Sequence, residues 1–195
     1  MAGIITSASR SVATCVKIDI SARINRHCRP RMTYPEYLSV DIPKIDLEFA
    51  FQIKLQLGIR QKTGPLPQGS TRGFVSAAGG TVEGPLLQGI VVPNSGGDWA
   101  LYRDDHTVQF SAHYMLEATD GTLIYMRNAG YRHATPEVAA RQEALEHVDP
   151  SEYYMRVTPT FDTPVGPHDW LTRHIIVGTV QRHADHSVFY YYKVL

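Results

Sequence analysis

The segment from Gly79 to Gly130 limits the possible folds of this chain more than any other part, because it contains four apolar-rich runs separated by turn sequences. The separators are Gly-Pro, Pro-Asn-Ser-Gly-Gly, Arg-Asp-Asp-His and Thr-Asp-Gly, which are typical of tight turns between antiparallel strands. The segment therefore predicts a β-meander. One face of its strands carries polar and aromatic side chains among small residues, and we interpret this face as the lining of a pocket: Trp99, Arg103, His113, Tyr125 and Arg127.

Further strands are predicted on both sides of this segment. Apolar and polar residues alternate from Leu47 to Leu57, which is the period of a half-buried strand. Shorter strands are expected over 72–77, 153–161, 170–180 and 187–195. Thr135-Pro136-Glu137 has the residues of a helix start, and Asp149-Pro150 those of a helix end. The pattern predicts an all-β fold, an antiparallel closed or nearly closed β-barrel, with one short α-helix inserted near residues 136–147.

The two ends of the chain differ in charge. Residues 1–31 contain six of the 19 basic residues and only one of the 19 acidic residues, and recognisable strand patterning begins after them. We predict a flexible basic N-terminal arm over 1–35 and a single β-barrel domain over 36–195. The arm has the composition either of a targeting segment or of a dispensable extension. We expect a cytoplasmic protein, and the basic arm leaves a mitochondrial location open.

Several classes of partner and chemistry are excluded by composition and motif. The chain after residue 31 is net acidic, which argues against nucleic acid as a partner. No run approaches the length of a membrane span, and both cysteines lie in the arm. The sequence has no Gly-x-Ser-x-Gly, Walker, Gly-x-Gly-x-x-Gly or His-Glu-x-x-His motif, so we expect no cofactor. His183 and His186 have metal-ligand spacing but lie in a predicted turn, so we also expect no metal site.

Five motifs, in this order and at compatible spacing, resemble the domain-of-unknown-function 3237 family, also catalogued as uncharacterised protein family 0311. The similarity runs from about Leu47 to the C-terminus. It implies a calycin-like or lipocalin-like β-barrel whose cavity holds a small organic ligand, and it implies no particular reaction. The motifs are Gly79-Gly-Thr-Val-Glu-Gly-Pro-Leu-Leu-Gln-Gly89, Gly97-Asp-Trp99 with Arg103-Asp-Asp105, Thr119-Asp-Gly-Thr-Leu-Ile-Tyr125, Tyr153-Tyr-Met-Arg156 with Phe161-Asp-Thr163, and Trp170-Leu171.

The chain departs from this family at two places. Where the family tends to have Arg-x-Asp-Gly and Asp-Ala-Arg-Tyr, this chain has Arg103-Asp-Asp-His106 and Ser111-Ala-His113-Tyr114. An acid–arginine pair on one strand face is thus replaced by Ser111 and His113. A fixed cation has become a group that exchanges protons near neutral pH, which is expected either from a change of chemistry or from drift.

The candidate catalytic residues are His113 and Asp98. His113 is the acid–base candidate because imidazole titrates near neutrality, the alternative being a histidine that only hydrogen-bonds within the barrel wall. Asp98 is expected either to orient or deprotonate that histidine or to cap its own turn. The candidate substrate-binding residues, each of which has a structural alternative as core or rim, are Trp99, Arg103, Tyr125, Arg127, Trp170 and Arg72.

We interpret the chain as a cofactor-independent enzyme that acts on a small apolar or aromatic metabolite, such as one of secondary or aromatic metabolism. Its chemistry would be that of an isomerase, cyclase or dehydratase. The alternative is a non-catalytic carrier of a small hydrophobic ligand with the same fold. A third interpretation is an interaction module whose barrel is filled with side chains. The sequence leaves a homo-oligomer open.

Overall fold

The computed structural model describes residues 43–195, so the predicted arm over 1–35 lies outside the described residues. The described chain forms ten strands and one α-helix, α1 (Pro136–Glu143). The strands are β1 (Leu47–Lys62), β2 (Ser70–Glu83), β3 (Gly89–Val91), β4 (Gly97–Asp98), β5 (Leu101–Arg103), β6 (Thr107–Ala118), β7 (Leu123–His133), β8 (Tyr154–Asp162), β9 (Ile176–Arg182) and β10 (His186–Val194).

The sheet is antiparallel and closes on itself. The hydrogen-bonded order runs β1-β10-β9-β8-β7-β6, and β6 is joined to β2 through β3, β4 and β5. Pairing of β1 with β2 then completes the circle, with Ile53 opposite Val82. Because β3, β4 and β5 occupy one position between β2 and β6, the barrel has eight strands around its circumference. The predicted all-β barrel with one short helix is confirmed.

The interrupted strand formed by β3, β4 and β5 depends on close backbone approach. A Cβ atom at Gly96 would collide with the carbonyl oxygen of His113, and one at Gly97 would lie 2.5 Å from that of Val75. Only glycine permits this spacing. Gly97 and Asp98 of the Gly-Gly-Asp-Trp sequence thus form a short strand between β2 and β6, where the sequence predicted a turn.

Helix α1 begins where the sequence predicts. Thr135 is its N-cap, and the Thr135 hydroxyl accepts a hydrogen bond from the Val138 N–H at 3.4 Å. The helix ends at Glu143, earlier than expected, and Leu145 adopts a left-handed φ of 59°, which is incompatible with continuation. Asp149 then caps a short 3₁₀ turn over Pro150–Glu152.

The strand predicted over 170–180 is wrong in its first half. Trp170 lies in a 3₁₀ turn, Asp169–Thr172, and β9 starts only at Ile176. Side-chain bonds stabilise the turn, since Arg173 forms an ion pair with Asp169 at 2.6 Å. These local bonds compete with the extended conformation that the apolar residues alone would favour.

The barrel interior is filled at one end only. Phe51 packs against the rings of Phe161 and Tyr191 at centroid distances of 6.3 and 5.0 Å, and Leu116 and Met126 are also buried there. At the end that carries α1, the interior is a cavity of about 520 Å³. No helix among residues 43–195 has the length and apolar character needed to cross a membrane.

Candidate functional site

The cavity is lined by the inward-facing residues of the strands. On β6, the even-numbered residues are buried or partly buried, and Val108, Phe110, Ala112 and Tyr114 line the cavity. A barrel directs its more apolar face inward, because that face is the one removed from water. The third interpretation, a barrel filled with side chains, does not agree with a cavity of about 520 Å³.

Asp98 is the one sequence-predicted site residue that lines the cavity. It lies on β4, where it pairs with Val75 on one side and Ala112 on the other. Its Oδ1 accepts a hydrogen bond from the Ser111 N–H at 2.8 Å. Burial raises the pKa of Asp98 to about 6, and the Ser111 hydrogen bond opposes that rise. Among the described residues, no basic side chain forms a salt bridge with Asp98.

Two buried polar side chains lie on the strands that follow Asp98 around the barrel, Tyr114 on β6 and Asn128 on β7. Asn128 of β7 donates a hydrogen bond from Nδ2 to the Tyr191 hydroxyl at 2.9 Å. The Tyr114 hydroxyl oxygen and Asn128 Oδ1 are buried, and within the described part of the chain neither has a hydrogen-bond partner of good geometry, although the side chains of Tyr191 and Asn128 lie close enough to the Tyr114 hydroxyl to influence its pKa. Burial raises the pKa of Tyr114, and the nearby Asp98 charge raises it further. Burial likewise raises the pKa of Tyr191, so both phenols stay protonated at neutral pH.

The pocket-lining face predicted from the sequence lies on the outside of the barrel. His113 and Tyr125 occupy outward positions of β6 and β7, and His113 Nδ1 is 2.6 Å from the Tyr125 hydroxyl. Trp99 is 46% exposed and meets the His113 ring edge-on at 5.9 Å. The Arg127 guanidinium lies 5.6 Å from the centre of the Tyr125 ring and contacts Asp162 at 3.3 Å. We call these four residues, Trp99, His113, Tyr125 and Arg127, the outer cluster.

The remaining candidates are dispersed. Arg72 is exposed, and its Nη1 donates to the Trp99 carbonyl oxygen at 3.3 Å. Arg103 forms an ion pair with Asp105 at 2.5 Å in the turn after β5. Trp170 packs against the core from the 3₁₀ turn and meets His174 edge-on at 6.3 Å. None of the three is among the residues that line the cavity.

Polar residues at inward positions of the strands were missed by the sequence reasoning. Asn128 and Arg132 follow Ile124 and Met126 on the inward face of β7, and Arg182 follows Val180 on β9. The period-2 pattern contains the signal, because it places these polar residues in rows that are otherwise apolar. A polar side chain at such a position needs a ligand or a hydrogen-bonding partner. Within residues 43–195, no three His, Cys, Asp or Glu side chains come together as a metal site would require.

Comparison with known proteins identifies relatives over the barrel domain. A UPF0311 protein from Rhodopseudomonas palustris (strain TIE-1) is 31% identical over 153 residues, covering 78% of this chain and 99% of that protein. The crystal structure of a conserved protein of unknown function from Rhodopseudomonas palustris superposes with a TM-score of 0.73 at 30% identity, covering 79% of this chain and 99% of the other.

A more distant structure shares the fold. The crystal structure of an enzyme from Penicillium herquei superposes with a TM-score of 0.60 at 20% identity, covering 81% of this chain and all of the other. The sequence profile of the family described as "Protein of unknown function (DUF3237)" matches residues 45–194, which is the whole barrel. The resemblance seen in the five motifs is therefore confirmed, and the chain belongs to the DUF3237 family.

Proposed function

We propose that this protein is a small-molecule enzyme that binds an apolar or aromatic metabolite in the barrel cavity and transfers a proton through Asp98, without a cofactor. The observation that carries the proposal is the half-buried carboxyl group of Asp98 in the wall of a largely apolar cavity, where it has no salt-bridge partner among the described residues. An acid that is partly removed from water without a cationic partner costs stability, and such groups are characteristic of catalytic sites.

Asp98 has the acidity that proton transfer at neutral pH requires. A carboxyl group with a pKa of about 6 exists in both protonation states near physiological pH, so it both accepts and returns a proton. The Ser111 N–H fixes one carboxyl oxygen at 2.8 Å. Within residues 43–195 the other oxygen accepts no hydrogen bond, and in the proposed reaction it takes the substrate proton. Asp98 thus takes the acid–base role in this proposal.

The neighbouring Tyr114 phenol supplies a hydrogen-bond donor for a substrate oxygen. In the proposed reaction the Asp98 carboxylate removes a proton from a carbon next to a carbonyl group, and the electron pair moves onto the carbonyl oxygen. The Tyr114 hydroxyl donates a hydrogen bond to that oxygen and so stabilises it. Return of the proton to a different carbon gives isomerisation, and its use to expel a hydroxyl group as water gives dehydration.

Two further considerations support an enzyme over a carrier. The fold is shared with a protein from Penicillium herquei that is described as an enzyme, which supports a catalytic use of this barrel without identifying the reaction. The sequence lacks nucleotide-binding and dinucleotide-binding motifs, so the proposed chemistry uses the chain's own groups. A carrier would need the apolar lining formed by residues such as Phe110 and Phe189, but not an unpaired acid.

Solvent deuterium exchange tests the proposal with model compounds that contain the reactive group. A panel of small aromatic ketones and 1,3-dicarbonyl compounds is incubated with the protein in D₂O, and deuterium next to the carbonyl is measured by NMR. At least one bound compound should exchange more than tenfold faster with wild-type protein than with Asp98→Asn, and the rate should rise with pH through about 6. Binding with equal exchange in both proteins would favour the carrier.

A further inference from the structure

The end of the cavity beneath α1 contains a second polar group, which the proton-transfer proposal does not use. Arg132 of β7 and Arg182 of β9 both line the cavity, and Arg132 is only 8% exposed. Within the described residues neither guanidinium forms a salt bridge. Buried arginines are ordinarily paired with an acid, so the buried Arg132 and the half-buried Arg182, both without an acid partner among the described residues, favour an anionic ligand at this end of the cavity.

The guanidinium groups of Arg132 and Arg182 stay positively charged at neutral pH despite their surroundings. Burial lowers the pKa of Arg132 to about 10, and repulsion from Arg182 contributes to the decrease. Burial also lowers the pKa of Arg182. Glu143 of α1 and the phenols of Tyr102 and Tyr153 act in the opposite direction on Arg132. Both guanidinium groups therefore carry their charge at neutral pH and repel one another.

Gln142 of α1 provides an independent observation at the same end of the cavity. This side chain lines the cavity and is 4% exposed, and neither its amide nitrogen nor its amide oxygen has a partner among the described residues. A buried amide without partners is costly and calls for a bound group. Its N–H donors and the guanidinium groups match the acceptor oxygens of a carboxylate, sulfonate or phosphate.

The cavity is also locally basic in an otherwise acidic domain. Its lining contains four cationic side chains, Arg60, Lys62, Arg132 and Arg182, against the two acids Asp98 and Glu143. The chain after residue 31 has an excess of acidic residues. Lys62 and Glu143 pair with each other at 3.6 Å, which leaves the arginines in excess, and an excess of one sign of charge in a concave site attracts ligands of the other sign.

We infer that the cavity binds an amphipathic aromatic acid, with its anionic group held by Arg132, Arg182 and Gln142 and its apolar body against Phe110 and Phe189. This deepens the proposed function, on which it rests for the location of the ligand. Arg132 lies four residues along β7 from Asn128, about 13 Å in an extended strand, so the anion lies at the opposite end of the cavity from Asp98.

Two fluorescent probes with the same ring system test this inference. 8-Anilinonaphthalene-1-sulfonate carries a sulfonate group, and N-phenyl-1-naphthylamine lacks it. Wild-type protein should bind the sulfonate more than tenfold tighter, and Arg132→Gln and Arg182→Gln should each remove about tenfold of that affinity while changing the neutral probe less than twofold. Arg173→Gln, at an exposed arginine away from the cavity, is the matched control and should change neither probe.

The wild-type affinity ratio decides the inference even if a variant fails to fold. Equal affinity for the two probes would overturn the anion site and leave the proton-transfer proposal standing. Failure of both probes to bind would overturn both proposals, because a ligand cavity is common to them. An Ala112→Leu variant locates the binding, since a larger side chain inside the cavity should weaken both probes together.

Discussion

Replacing Asp98 by asparagine should stabilise the protein at neutral pH while removing its proton-transfer activity. Asparagine keeps the shape of the side chain and an oxygen that accepts the Ser111 N–H, so the β4–β6 pairing is retained. What it removes is a carboxylate that burial disfavours. A site kept for function at the expense of stability is expected to respond in this way.

The magnitude follows from the pKa of Asp98 in the two states. The carboxyl group ionises near 3.8 when unfolded and near 6 when folded, so between these pH values the folded state binds more protons. The wild-type free energy of unfolding therefore falls as pH rises through this window. Asparagine does not titrate, so the variant does not lose stability in this way. The free energy of unfolding of the variant should therefore exceed that of wild type by about 1 kcal/mol at pH 4.5 and by about 3 kcal/mol at pH 8.

Urea denaturation of both proteins at pH 4.5 and pH 8 measures this difference. At pH 8 the gain corresponds to a rise in Tm of about 6–12 °C for a domain of this size. Asp104→Asn, at an exposed aspartate in the turn after β5, is the matched control and should leave the free energy of unfolding unchanged at both pH values. An Asp98→Asn variant that is no more stable than wild type at pH 8 would refute the reasoning.

Three further changes test separate parts of the structure. Ala112→Leu should reduce probe binding more than tenfold and change the free energy of unfolding by less than about 1 kcal/mol, because the added atoms enter a cavity; a stability loss without a binding loss would argue against the cavity. His113→Ala should leave cavity binding unchanged and cost about 1 kcal/mol through loss of the Tyr125 hydrogen bond, as measured by probe titration and urea denaturation; weakened binding would return the site to the outer cluster. Thr135→Ala should lower the free energy of unfolding by about 1 kcal/mol, because the Val138 N–H loses its cap, and an unchanged urea midpoint would contradict this role.

The fold was predictable because its signals are local and repeated. Alternation from Leu47 onward and the turn sequences after Gly79 each favour strands, and Thr135-Pro136 favours a helix start. The sequence could not show that three short strands share one position in the barrel. That arrangement depends on contacts between Gly96 or Gly97 and strands distant in sequence.

The cavity-lining residues were harder to predict. Alternation of polar and apolar residues along a strand defines two faces, but it does not show which face lies inside the barrel. On β6 the face with Ser111 and His113 carries more of the side-chain types that commonly take part in catalysis. The face with Ala112 and Tyr114 is more apolar and therefore points inward. Asp98 was found because it lies in a glycine-rich motif. The approach of Arg132 to Arg182 was not visible, since it results from strand pairing around the barrel.

A crystal structure with bound 8-anilinonaphthalene-1-sulfonate would show where this barrel holds its ligand. We predict density for the rings inside the cavity, the sulfonate within hydrogen-bonding distance of Arg132 and Arg182, and the opposite end of the probe directed toward Asp98. Density confined to the outer cluster around Trp99 and His113, with an empty cavity, would contradict the interior site and return the chemistry to the outer face of the barrel.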